Sequence, residues 1–341
     1  MREIMTKINK IRELWKKNIL LSTAFALLVM VVVQGIIFFV LTGSFSGMLE
    51  KLGIAWLNIL RNNTYAGIIA LGMCFAIISG GIDLSVGSML CALGAILMYL
   101  IEPTNGLLAS MGITGAAAYG IAIVMILICG CLLGALNGTL VAYGKLPPFI
   151  ATLGTMKIFR SVTQQVTKQF NPKVPDGFKL IASFKIGGQV VLPVIYWLVI
   201  VLVMILIFRK TAFGRQTVAI GSNERAAKLS GINVQWVKTK IYMLVGLMCS
   251  IASVIYIARI GSMDFANAGS GYEMDAIAAV VVGGTAMSGG KGSIGGAFLG
   301  MLIIGAMNNI LNSVGVPTFL CEAVKGAIII LAVIFQRKEN A

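Results

Sequence analysis

A glycine-rich segment near the C-terminus resembles a nucleotide-binding loop. Residues 290–295 read Gly-Lys-Gly-Ser-Ile-Gly and fit the G-x-G-x-x-G pattern that places a pyrophosphate on a helix N-terminus. The surrounding sequence lacks alternating strands and helices, and no acidic residue follows at about 20 positions to bind a ribose. Gly292 also follows Lys291 where a phosphate-binding loop has Ser or Thr for Mg²⁺. We therefore expect that this chain does not hydrolyse ATP by itself.

Histidine is absent from the sequence of 341 residues. Its absence excludes histidine general bases, Ser-His-Asp triads, Cys-His dyads and ordinary zinc sites. We expect no catalytic residue, no metal site and no cofactor, and we interpret the chain as a non-catalytic protein.

The carboxylate of Asp83 lies in a glycine-rich segment between two apolar runs. An unpaired charge in such a place is unfavourable, so this carboxylate needs a partner. One interpretation is that Asp83 or Ser85 caps the helix that follows, by accepting from its free N–H groups, and we predict that Asp83 caps a helix beginning at Leu84. The other is that the segment lines a transport path, and both can hold. The segment contains Gly80, Gly81, Asp83, Ser85 and Gly87.

Transmembrane helices must position these residues. Hydrophobic side chains make up 58% of the sequence and charged ones 11%, whereas soluble domains carry about 25% charged residues. The net charge of +15 does not indicate a nucleic-acid partner, because the basic residues flank the apolar runs. We expect an all-α integral membrane protein of about ten helices (eight to ten) in one domain, 1–341. The predicted spans are 19–41, 64–81, 85–101, 112–143, 148–166, 189–208, 239–258, 275–288, 294–314 and 318–335.

Basic segments predict the orientation of the chain. Lys and Arg are concentrated at the start, in 1–18, and again in the loop 209–238, and both segments should be cytoplasmic. An even number of spans returns Arg337 and Lys338 to the same side. The segment 102–111 has no Lys or Arg and should lie outside. We therefore predict a multi-pass protein of a bacterial cytoplasmic membrane, with both termini cytoplasmic.

Two segments outside the predicted spans also have a recognisable character. Apolar residues recur at helical spacing from Ser46 to Asn62, which predicts an amphipathic helix on the outer membrane interface. Residues 168–189 contain prolines and a Gly-Gly pair, and predict an external loop too short to form a domain.

An internal similarity relates the segment around Asp83 to the one near the C-terminus. Ser79-Gly80-Gly81 before Ser85-Val86-Gly87-Ser88 resembles Ser288-Gly289-Gly290 before Ser293-Ile294-Gly295-Gly296. Each segment separates two short apolar runs, which is typical of discontinuous helices in corresponding halves of a transporter. The sequence leaves open whether the repeat is parallel or inverted, and whether one segment is re-entrant. The second predicted break contains Gly289, Gly290 and Gly292. We predict that the two breaks lie near each other and are hinges or linings of the translocation path.

The cytoplasmic loop contains the pattern of a short capped helix. Ser222 or Asn223 can cap its start, Glu224 lies in its first turn, and Gly231 can end it. The small residues Ala226 and Ala227 suit docking into the groove of a partner protein. The alternative is an ordinary basic loop.

These residues carry a resemblance to a known family. Glu224-Arg-Ala-Ala-Lys-Leu-Ser-Gly231 is similar to the coupling loop of ABC-transporter permeases, although Arg225 interrupts the Glu-Ala-Ala triplet. Across roughly residues 55–335, the chain resembles the ribose/galactose-type monosaccharide permeases. The matching motifs, in the same order, are Gly81-Ile-Asp-Leu-Ser-Val-Gly87, Pro148-Phe-Ile-Ala-Thr-Leu-Gly154, Tyr272-Glu-Met-Asp-Ala-Ile-Ala-Ala279 with Val282-Gly-Gly-Thr285, and Gly289-Gly-Lys-Gly292.

The resemblance implies the permease subunit of an ATP-driven importer for a monosaccharide or similar small polyol. Its implied partners are an ABC ATPase, an extracytoplasmic sugar-binding protein, and a second permease that is either a copy or a paralogue. The alternative is an ion-coupled secondary transporter, which needs an ionisable residue deep in a span. The carboxylates of Asp83, Glu273, Asp275 and Glu322 instead read as lying near span ends or breaks.

A path for a neutral polyol needs amides and hydroxyls rather than fixed charges. Several polar residues within or beside the spans could supply them, although hydrogen bonding between helices is an equally simple role for each. The candidates are Asn62, Asn63, Tyr65, Asn137, Asn308 and Asn312.

Overall fold

The computed structural model of the chain describes residues 19–168, 172–186, 188–317 and 320–328, with residues 330 and 334. Residues 1–18 and the C-terminal Arg337 and Lys338, which are predicted to be cytoplasmic, lie outside these ranges. The described helices are α1 (Ile19–Thr42), α2 (Phe45–Asn62), α3 (Thr64–Ile78), α4 (Val86–Ile101), α5 (Leu107–Ser110), α6 (Gly115–Ala142), α7 (Pro148–Thr167), α8 (Asp176–Lys179), α9 (Leu192–Lys210), α10 (Ala212–Ser222), α11 (Glu224–Leu229), α12 (Val234–Ile260), α13 (Tyr272–Val282) and α14 (Ile294–Ser313), followed by α15 at 320–328.

Apolar composition explains why most of these segments are helical. Five described helices, α1, α6, α9, α12 and α14, are long and apolar enough to cross a membrane. The shorter apolar helices α3 and α4 fall on predicted spans, and α3 is buried along its whole length. The chain is therefore the expected helical membrane protein. One boundary was wrong, since α13 ends at Val282, earlier than 288. Helix α12 begins at Val234, ahead of the predicted span 239–258.

The segment after α7, which is predicted to be external, departs from the all-α prediction. Beyond α8, a 3₁₀ turn at Leu180–Ala182 precedes a short antiparallel ribbon of β1 (Lys185–Ile186) and β2 (Gln189–Val190). Gly188, with φ +80°, permits this tight reversal. A hydrogen bond from Lys179 at 2.8 Å, together with its charge, lowers the pKa of Asp176. Residues 169–171 of this segment lie outside the described ranges.

Helix α12 is the centre of the bundle. It packs along α6, α3 and α4, and its contact with α6 is a row of small residues. Gly130, Gly134 and Gly138 of α6 recur every fourth residue and face the backbone of α12 near Gly246 and Thr239. Small residues at this spacing let two membrane helices approach closely, so van der Waals packing holds them together.

An ion pair joins α13 to the last helical segment. Lys325 in α15 lies 2.7 Å from Asp275 Oδ1 and 2.6 Å from Glu322 Oε1, and its side chain is only 9% exposed. A lysine at this depth is stable because both carboxylates neutralise it. Asp275 therefore has a structural partner that the sequence pattern did not indicate.

Candidate functional site

The motif in residues 222–231 folds as the short helix that the sequence predicts. Asn223 caps α11, because its Oδ1 accepts from Ala226 N at 3.0 Å. Ser222 was wrongly considered as a cap. It is the last residue of α10, and its hydroxyl donates to Val218 O at 2.9 Å. Gly231 follows the helix with φ +83°, a conformation that favours glycine and ends α11.

The surface of α11 combines small residues with charge. Ala227 is buried against the rest of the protein, whereas Ala226 is exposed. Glu224 Oε2 accepts from Lys238 Nζ of α12 at 2.7 Å, which fixes the first turn of α11 to the start of the long helix. The helix therefore contacts the rest of the protein through Ala227 and the Glu224–Lys238 ion pair.

Three backbone segments meet next to the residues that lead into α11. Gly290 N donates to Ile78 O, the end of α3, at 2.8 Å, so the two glycine-rich breaks touch. Gly221, near the end of α10, lies so close that an added Cβ would overlap Ile78 O and lie 2.5 Å from Gly290 N. We call the contact of Ile78, Gly221 and Gly290 the glycine joint. It connects both breaks to the residues that lead into α11.

Asp83 lies in the first break and is fully buried, with 0% exposure. Its Oδ1 accepts from Ser85 N at 2.8 Å and from Ser85 Oγ at 2.6 Å, and its Oδ2 accepts from Asn137 Nδ2 at 3.1 Å. The prediction that Asp83 caps a helix beginning at Leu84 was wrong in register. Helix α4 begins at Val86, and Asp83 instead closes the turn that precedes it.

Removing these acceptors tests the role of Asp83. We expect Asp83→Ala to lower the stability of the detergent-solubilised protein by about 1 kcal/mol or more, because Ser85 and Asn137 lose their buried acceptor. Asp83→Asn retains one carbonyl oxygen and should be milder. Thermal unfolding midpoints of the two variants measure the difference. Equal losses in both would contradict the turn-closing role.

The segment between α12 and α13 is a feature that the sequence analysis did not single out. Residues 261–271 are irregular, yet they descend along α4: Cys91 Sγ contacts Phe265 O at 3.5 Å, and Gly269 packs against Gly87 at the start of α4. Helix α13 therefore begins well below the end of α12. The small residues Gly87 and Cys91 on α4 permit this close packing. The sequence pattern around either residue does not indicate the contact.

The predicted path-lining residues are engaged in several different contacts. Arg259 donates to Asn62 Oδ1 at 2.7 Å and to Tyr65 Oη at 3.2 Å, and Asn63 donates to Ile59 O at 2.7 Å. Asn137 also donates to Ser85 Oγ at 2.8 Å. In the last pair, Asn308 is half-buried and Asn312 is exposed, with Cys321 Sγ at 3.8 Å from the Asn312 amide oxygen.

Comparison with known proteins gives a consistent family. Residues 55–333 match the family described as branched-chain amino acid transport system / permease component. The ribose import permease protein of Bacillus subtilis (strain 168) is 43% identical over 298 residues, 86% of this chain and 87% of the relative. The ribose import permease protein of Escherichia coli (strain K12) is 40% identical over 288 residues, which cover 83% of this chain and 85% of the relative. The xylose transport system permease protein of E. coli (strain K12) is 35% identical, and the match covers 81% of this chain and 83% of that relative. No solved structure matches.

Proposed function

We propose a function from the premise that this chain belongs to the branched-chain amino acid transport system / permease component family, as a ribose-type ABC permease. It is the membrane subunit of an importer for a monosaccharide or similar small polyol, and a separate ATPase drives its alternating access. An extracytoplasmic sugar-binding protein delivers the substrate. A second permease, either a copy or a paralogue, completes the membrane core. Residues 1–341 form one polytopic domain.

The glycine joint carries this proposal. A permease that is driven by a separate ATPase needs a projection for docking and a rigid connection from it to the path. Helix α11 supplies the projection, and Gly221 places its leading residues against Ile78 and Gly290. Packed backbone contacts transmit displacement because they have little freedom to deform. We assign docking to Asn223, Glu224, Ala226 and Gly231, whereas the buried Ala227 packs α11 against the rest of the protein.

An ion-coupled secondary transporter is the second candidate. The burial of Asp83 favours it, since an intramembrane carboxylate is a common coupling site. Against it, both oxygens of Asp83 accept hydrogen bonds from Ser85 or Asn137. Asp275 is paired with Lys325. The importer therefore accounts better for the carboxylates.

We further propose ten crossings and a parallel repeat. Helix α3 runs from the level of Arg259 at the end of α12 toward the glycine joint, and α4 runs back. Helices α13 and α14 follow the same course as α3 and α4. Helix α13 runs toward the glycine joint, and α14 runs back to the level of Asn63. Both breaks then lie on the cytoplasmic side of the membrane.

This topology predicts that Lys10 and Lys228 both lie on the cytoplasmic side and cannot be reached from outside the cell. Single cysteines replacing Lys10 and Lys228 should resist an impermeant thiol reagent in intact cells and react after the membrane is permeabilised. Lys228 is exposed on α11, and Lys10 lies outside the described residues. The six native cysteines remain in both variants, so labelling of the parent chain is measured as the background. Reaction at either position in intact cells would overturn the orientation.

The docking role of α11 predicts uncoupling by two substitutions. Gly231→Trp adds bulk at a residue with φ +83° and hinders close approach of the ATPase. Glu224→Lys removes the ion pair with Lys238 and places a positive charge in the first turn. We expect uptake to fall by about tenfold in each variant while membrane insertion stays normal. Parental uptake and parental ATPase stimulation in both would refute docking through α11.

Isolation of the protein from native membranes tests the proposed function. A soluble ATPase should co-purify with an affinity-tagged copy of this chain. The Gly231→Trp variant, which inserts but should not dock, is the matched control. Recovery of the parent chain without an ATPase, under conditions that retain the second permease, would contradict the proposal.

A further inference from the structure

Helix α7 has a polar face that is unusual for a membrane helix. It is 20 residues long, yet it is not among the described helices that are apolar enough to be identified as spans. Lys157, Arg160, Ser161 and Gln164 recur at spacings of three and four and therefore share one side. Lys157, Ser161 and Gln164 are exposed, and Arg160 is half-buried.

The irregular segment 261–271 lies directly beside this face. Arg160 Nη1 is 3.5 Å from Phe265 O, and Gln164 Nε2 is 3.4 Å from Ala266 O. Asp264 and Asn267 are exposed on the same segment, and Asn267 Nδ2 donates to Asp264 Oδ2 at 2.9 Å. Two elements from distant parts of the sequence thus form one polar surface.

The depth of this surface indicates that it borders water. Gly269 contacts Gly87 at the start of α4, and α13 continues for 11 residues, or about 16 Å, toward the glycine joint. Irregular backbone and charged side chains at such a depth are tolerated where they line a water-filled cavity. A lipid-facing position would leave them unsolvated.

The chemistry of the surface fits a neutral polyol. Arg160 makes one long hydrogen bond within the described residues, so most of its five N–H donors are free. It lies close enough to Asp264 and to the half-buried Glu273 to act electrostatically on both carboxylates. The surface therefore combines one guanidinium, two amides and two carboxylates. Donors and acceptors lie side by side on this surface and can pair with sugar hydroxyls, although the sequence analysis expected a path without fixed charges.

We propose that Arg160, Gln164, Asp264, Asn267 and Glu273 form a sugar-binding subsite in the translocation path. This inference rests on the proposed function and specifies where the permease itself contacts its substrate. The amides and Arg160 donate to hydroxyl oxygens, and the two carboxylates accept from hydroxyl groups. The subsite holds the sugar between the delivering protein and the glycine joint.

The test uses the intact complex with its ATPase and binding protein in proteoliposomes, with D-ribose and D-xylose as probes. Gln164→Ala and Asn267→Ala truncate exposed side chains, and each also removes one hydrogen bond within the surface, to Ala266 O and to Asp264 Oδ2 respectively. The ATPase measurement detects any structural effect of that loss. We expect uptake at saturating sugar to fall about fivefold, the effect of one lost hydrogen bond, while binding-protein-stimulated ATPase activity stays at the parental level. Gln165→Ala, at the neighbouring exposed position, is the matched control and should retain parental uptake.

The outcomes separate the subsite from the function on which it rests. Parental uptake in both variants and in the double variant would refute the subsite alone. An equal loss of uptake and ATPase activity, or an equal loss in the Gln165 control, would indicate a structural role and would also refute it. Absence of ATP-dependent uptake of either sugar by the parent complex would refute the proposed function together with the subsite.

Discussion

Replacing Gly221 by Ala is expected to abolish most coupled transport. The added methyl group would overlap Ile78 O and lie 2.5 Å from Gly290 N, and both are backbone atoms that cannot rotate away. One of the three segments must therefore move, and the link between α11 and the two breaks is lost. Coupling energies of this kind reach about 2 kcal/mol, so we expect at least about a tenfold fall in uptake. ATP hydrolysis that does not depend on sugar should be retained.

The control for this substitution is Gly120→Ala. Gly120 is also helical, but nothing lies within 4 Å of its added Cβ, so the methyl group should be tolerated. Uptake and ATPase activity are measured on complexes of equal stoichiometry. Parental uptake in Gly221→Ala would contradict the transmission of force through the glycine joint.

Gly246→Val is expected to prevent accumulation of folded protein. A Cβ at Gly246 would overlap Gly130 O of α6, and a Cβ at Gly130 would overlap Ser250 Oγ and lie 2.5 Å from Gly246 O. The α6–α12 contact must separate to accept the branched side chain, and much of the packing at the centre of the bundle is lost. We expect a destabilisation of about 3 kcal/mol, measured as thermal unfolding in detergent and as membrane yield.

Gly120→Val is the corresponding control, since it places the same side chain at an open position of α6. It should retain a near-parental unfolding midpoint. A Gly246 variant that unfolds at the parental temperature would show that close packing of α6 on α12 does not hold the bundle together.

Short-range patterns in the sequence predicted those parts of the site that depend on neighbouring residues. The cap of α11 by Asn223 spans three residues, and the break around Gly80 depends on glycines within one turn. Such features follow from local backbone geometry. The same local rule misplaced the start of α4, because Asp83 bonds Ser85 N rather than an N–H group inside the helix.

Most contacts between distant segments could not be predicted in this way. The similarity of the two breaks indicated that they lie near each other, and Gly290 N bonds Ile78 O. Nothing in the sequence indicated that Gly221 joins them. The pairing of Lys325 with Asp275 has the same character, as does the position of Arg160 beside Phe265. Each contact depends on how the helices pack together, and hydropathy does not predict that packing. Composition predicted the class of protein, and tertiary packing determined the site.

The most direct test of the central claim is transport by the reconstituted complex. The purified chain, its co-purifying ATPase and the binding protein are placed in proteoliposomes, and uptake of labelled D-ribose is measured with ATP or with a Na⁺ or H⁺ gradient. We expect uptake that requires ATP and all components, and that is lost in Gly231→Trp. Uptake driven by an ion gradient in the absence of ATP, and abolished by Asp83→Asn, would contradict the account.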